Sequence, residues 1–145
     1  MNFYDRSFFQ LKGPLSPQLP KPTEIFQQHK DTGRGVIKFQ DLNIAVKFGP
    51  CPELRLEEAQ TMRAIRQAYP DCEIPVPEVY GWKKCQDRVY IYMSLIPGKT
   101  LRQTWPSLSE TEKAICEHLS QIVASLRRIT QVSANRFIGM PGHIP

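Results

Sequence analysis

Two pairs of prolines, Pro50 with Pro52 and Pro75 with Pro77, confine the middle of this chain to one order of elements. Proline lacks an amide hydrogen and a free φ, so it ends helices and is excluded from central strands. The run Ile44-Ala45-Val46-Lys47-Phe48 is therefore a strand that stops at the first pair. Between the pairs, Leu56, Ala59, Met62, Ile65 and Tyr69 recur at steps of three and four. That spacing predicts an amphipathic helix over 53–69, with Arg63 and Arg66 turned away from its apolar face. Ile74-Pro75-Val76-Pro77 can only be an extended connector.

Strands flank this unit on both sides. Val36-Ile37-Lys38-Phe39 and the 44–48 run form a hairpin about residues 40–43. Val79-Tyr80-Gly81-Trp82 and Val89-Tyr90-Ile91-Tyr92-Met93 form a second antiparallel pair about a polar turn at 83–87, which Pro97-Gly98 closes. Residues 101–105 read as one or two helical turns. Ser109 with Glu112 matches a capping box, and Ser107 with Glu110 is a competing match. The helix that follows runs to about 130 on a stripe of Ile115, Leu119, Ile122, Val123, Leu126 and Ile129. At the N-terminus, Phe3, Tyr4, Phe8, Phe9 and Leu11 predict a short helix on the body or on a partner. A connector with Pro14, Pro17, Pro20 and Pro22 leads to a short helix capped by Thr23, and the 137–145 tail is extended.

The expected class is α+β: a small antiparallel sheet with a packed helix, followed by a long amphipathic helix. Its expected parts are an aromatic segment and connector (1–22), a sheet-and-helix lobe (23–100) and a helical extension with its tail (101–145).

Composition narrows the function classes. The net charge of +5 is dispersed, without a block of five like charges. That is a solvated excess rather than a nucleic-acid footprint. Cys51, Cys72, Cys85 and Cys116 form no C-x-x-C pair and do not combine with His29, His118 or His143 at metal-ligand spacing. No metal and no cofactor are expected. Free thiols, a first segment without an apolar signal core and the lack of a run of about 18 apolar residues point to a cytoplasmic protein without a membrane span.

Four segments together carry a family resemblance. They are Ala45-Val46-Lys47-Phe48-Gly49; Glu58-Ala59 with Met62 and Ile65-Arg66; Ile74-Pro75-Val76-Pro77-Glu78-Val79-Tyr80-Gly81-Trp82; and Tyr90 through Leu101, with Met93-Ser94-Leu95-Ile96-Pro97-Gly98 as its hinge-like part. Over roughly residues 20–139 the chain resembles the N-terminal lobe of the aminoglycoside phosphotransferase and choline kinase-like family, which has a protein kinase-like fold, in its fungal form. The resemblance implies that Lys47 contacts nucleotide phosphates and that Glu58 orients it through an ion pair. It also implies that the backbone from Met93 through Leu95 to Ile96 meets the adenine edge. A strand lysine can equally be a solvated surface residue, and an acid in a first helical turn can simply answer the helix dipole.

The departures from the family bear on activity. Phosphotransferases of this kind use a catalytic-loop aspartate and a second aspartate for magnesium. Here no aspartate follows Asp87 and no carboxylate follows Glu117. Gly33 and Gly35 do not make a G-x-G-x-x-G loop. The expectation is a lobe truncated before the catalytic loop, without phosphoryl transfer of its own. It would bind a small metabolite, with a cyclisation or isomerisation in secondary metabolism as the reaction class. Lys47, Glu58, Tyr92 and His118 are the candidate polar groups, set against an uncovered sheet face bearing Phe39, Phe48, Tyr90, Tyr92 and Trp105. The alternative is a noncatalytic, pseudokinase-like interaction module with residual nucleotide binding, or a gene fragment. The apolar stripe of the 110–130 helix calls for a cover, for which a homodimer is the expected solution.

Overall fold

The computed structural model describes residues 6–8, 19–28, 33–71, 73–107 and 112–129. In chain order the elements are β1 (Arg6–Phe8), α1 (Pro22–Gln28), β2 (Gly35–Phe39), β3 (Ile44–Pro50), α2 (Leu56–Ala68), β4 (Val79–Cys85), β5 (Arg88–Ser94), α3 (Leu101–Thr104) and α4 (Glu112–Arg127). A short 3-10 turn, Trp105–Ser107, follows α3. The fold is α+β, with one antiparallel sheet in the order β1-β4-β5-β3-β2.

Alternation along the strands explains why the sheet is covered on both sides. On one face Ala45, Val89, Ile91 and Met93 pack with Leu54, Val79, Trp82 and Ala59 of α2. On the other, Ile44, Val46, Phe48, Tyr90 and Tyr92 close around Ile25 of α1. β3 and β5 are therefore apolar at nearly every position, as strands buried on both faces must be. β2 lies at an edge and alternates between half-buried and exposed residues.

The turns are tight. Asn43 takes φ +53° and donates its amide to the Gln40 carbonyl at 3.0 Å, a left-handed conformation that asparagine tolerates. The turn expected at 83–87 shrinks to Gln86 and Asp87, because β4 runs on to Cys85 and β5 begins at Arg88. α1 opens on Pro22, whose missing amide is harmless in a first helical turn. A capping box of Thr100 and Gln103 starts α3.

One expectation is corrected at the N-terminus. Arg6–Phe8 forms a strand on β4, opposite residues 81–83, and not a helix. It supplies partners to backbone groups that β4 would otherwise leave unpaired at the sheet edge. The other aromatic residues of that segment, Ser109 and the 137–145 tail lie outside the described residues.

α4 is tied down through polar contacts. The Tyr69 hydroxyl donates to the Ser125 carbonyl at 2.5 Å, and the Ser125 hydroxyl donates to Glu73 at 2.6 Å. The Arg128 guanidinium also meets Glu73. The Ser125 hydrogen bond, followed by Arg128, holds the Glu73 carboxyl below its ordinary range. Leu119, Val123, Leu126 and Ile129 remain exposed. Among the described residues no helix is long and apolar enough to cross a membrane.

Candidate functional site

The two-residue period of β3 puts Ala45, Lys47 and Gly49 on the side of the sheet that α2 covers. Ala45 is sealed into the core along with Ala59. Lys47, two residues on, emerges beside the first turn of α2, where Glu57 and Glu58 sit. Its Nζ donates to both carboxylate oxygens of Glu58, at 2.6 and 2.9 Å. Both side chains are about two-fifths exposed, 38% and 40%, so the pair faces water on one side. Glu58 is favoured there twice, by the lysine and by the helix N-terminus.

Lys47 also lines a cleft of about 430 Å³ with Arg34, Val36, Gly49, Glu53 and Leu54. Arg34 stands just before β2 and forms an ion pair with Glu53, from the loop after β3, at 2.5 Å. Sequence reasoning missed both residues. The available signal was the position of Arg34 between Gly33 and Gly35, because Gly33 takes φ +63° and turns the chain into β2.

The other expected site residues do not join this cleft. Tyr92 is fully buried on the opposite face and donates its hydroxyl to the Pro20 carbonyl at 2.8 Å. Burial pushes that hydroxyl far above the ordinary tyrosine range, with the neighbouring Tyr90, Glu24 and Cys85 adding to it. The expected open aromatic face is likewise corrected. α1 covers Phe48, Tyr90 and Tyr92, while Trp105 is exposed beyond α3. His118 lies exposed on α4 and has no place in the lining of the cleft. The lining therefore contains Lys47 of the four candidate polar groups, with Glu58 bound to it.

The segment expected to meet an adenine edge is engaged within the sheet at Met93 through Leu95. Met93 is buried within the core under α2 and is paired on both sides, with Ala45 and Val79. Leu95 donates its amide to the Asn43 carbonyl at 3.0 Å, and Ser94 donates its own to Glu78 at 2.8 Å. The Leu95 amide is thus already engaged by the β2–β3 turn and does not project toward a base edge. Ile96, next along, is exposed.

The cleft thus presents two cations, each paired with its own carboxylate. Among the described residues no group of three or more His, Cys, Asp or Glu is arranged to hold a metal. No protein-family model, curated protein or solved structure matches this chain.

Proposed function

We propose that the chain binds a phosphate-bearing small metabolite at Lys47 and that residues 1–145 do not themselves transfer a phosphoryl group. The observation that carries this is the two-pronged Lys47–Glu58 ion pair at the open wall of a cleft. A strand lysine held by a helix glutamate is the arrangement with which kinase-type lobes present a cation to phosphate. The family resemblance of the surrounding segments supports the same role. So does the engaged Leu95 amide, since it favours recognition through phosphate over recognition through a base. A cyclisation or isomerisation of the bound metabolite would draw its acid–base groups from Glu53 and Glu58, the carboxylates at the cleft. We place this role in the cytoplasm.

Titration calorimetry with ATP and with inorganic pyrophosphate tests the proposal. Lys47→Met is expected to weaken binding by about 10- to 100-fold, the loss of one charge-assisted contact. Circular dichroism would verify that the variant is folded. If the wild-type chain binds neither ligand, or if Lys47→Met binds as well as wild type, the proposal fails.

A second reading, self-association through the 110–130 helix, is favoured by the exposure of Leu119, Val123 and Leu126 on α4 and of Ile129 just after it. Each such side chain gains roughly 1.5–3 kcal/mol when buried. Light scattering is expected to give twice the 16.7 kDa chain mass, and Leu126→Asp to return the monomer. A wild-type monomer at high concentration would eliminate this reading.

A further inference from the structure

We propose that Arg34 is a second anion-contacting residue and Glu53 its displaceable counter-ion, so that the cleft selects ligands with two linked phosphoryl groups over those with one. This rests on the anion-binding role proposed for Lys47. Arg34 and Lys47 line the same cleft from different segments. Gly49 lets Arg34 and Leu54 pack close against β3, since a Cβ there would stand 3.2 Å from the Leu54 Cβ and 3.4 Å from the Arg34 Cβ.

The two ion pairs differ in how firmly they are held. Lys47 meets both Glu58 oxygens, and Glu58 is fixed on a helix. Arg34 meets one oxygen of Glu53, and its side chain is 71% exposed. An exposed, single-contact pair of this kind contributes little to stability and is screened by salt. The guanidinium can therefore turn from Glu53 to a phosphate at little cost, and its planar fork suits phosphate oxygens. Lys47 is then the fixed anchor for one phosphoryl group and Arg34 the movable contact for the next. Glu53 competes with the ligand for Arg34 and repels it. Removing the charge of Glu53 should therefore strengthen binding, which a purely structural ion pair would not do.

The test is calorimetric titration of the full chain with inorganic orthophosphate and pyrophosphate in buffer containing a chelator. The wild type is expected to favour pyrophosphate by about tenfold, one added charge-assisted contact. Arg34→Ala should erase that preference and leave orthophosphate nearly unchanged. Arg34→Lys should keep part of it, because a point charge lacks the fork. Glu53→Gln should tighten pyrophosphate several-fold. If Lys47-dependent binding is present but Arg34→Ala leaves pyrophosphate affinity unaltered, the inference is overturned while the role of Lys47 stands. Weaker binding by Glu53→Gln also overturns it. Absence of binding by the wild type, or binding that survives Lys47→Met, removes both.

Discussion

Phe48→Ala is expected to destabilise the fold by about 3–5 kcal/mol, the usual cost of emptying a buried phenylalanine site. Phe48 is 2% exposed and follows Lys47 on β3, and its side chain packs in the face closed by α1. It stacks on Tyr90 with centroids 6.3 Å apart. It also lies within van der Waals contact of where a Cβ would stand at Gly35 on the edge strand. Neither neighbour can move in to fill the space, because Tyr90 is held in the central strand β5 and Gly35 has no side chain. Domains of this kind have roughly 5–15 kcal/mol of total stability, so the loss is a large part of the whole. Urea denaturation followed by circular dichroism reads it directly, with Phe48→Leu as a milder comparison. A loss below about 1 kcal/mol would mean that the ring is not enclosed as described.

Ile25→Ala is expected to cost about 2–5 kcal/mol and to release α1 from the sheet. A helix of seven residues is far too short to persist alone in water. Ile25, at 1% exposure, is its buried anchor. The Tyr92–Pro20 hydrogen bond and the Arg88 guanidinium, 4.8 Å from the centre of the Phe26 ring, add to that anchor. Release of α1 brings water to Tyr92. In the intact protein burial keeps the Tyr92 proton well above the ordinary range. Unfolded tyrosine ionises near pH 10. Above that pH the folded state holds more protons than the unfolded one, so stability falls as pH rises further. Below it, Tyr92 makes no pH-dependent difference. An ultraviolet titration should therefore find that Tyr92 resists ionisation most, beyond the smaller upward shifts that burial gives Tyr80 and Tyr90, and that this extra resistance is lost in Ile25→Ala. Identical curves would contradict the docking of α1.

The elements that were legible in the sequence are those specified by backbone chemistry over a few residues. Prolines at 50, 52, 75 and 77 bracket α2, and the steps from Leu56 to Ile65 give its period. The apolar runs at 44–48 and 89–93 mark the two central strands. Lys47 and Glu58 were legible as a pair because a strand residue and the start of the following helix lie only eleven residues apart in sequence. Less was visible where the partner is remote or the face is not fixed by pattern. Arg6–Phe8 pairs with β4 more than seventy residues away. Arg34 finds Glu53 across the β2–β3 hairpin. The α4 stripe has a period that predicts a helix, but periodicity does not tell whether Leu119 and Leu126 are covered.

By itself the sequence determined that Lys47 lies on a strand closed by Pro50 and that an acidic helix start follows it, since alternation and proline placement are local properties. Tyr92 shows what it could not determine. Tyr92 belongs to the neighbouring central strand and is as polar a candidate as Lys47, yet the alternation of β5 turns it to the other face. Only the assembled sheet, with α1 on one side and α2 on the other, decided that Lys47 shares its cleft with Arg34 and Glu53 and not with Tyr90 and Tyr92. The reason is physical. A strand specifies which residues share a face, but which face meets water depends on the helices that pack against the sheet, and those contacts form across long separations in the chain.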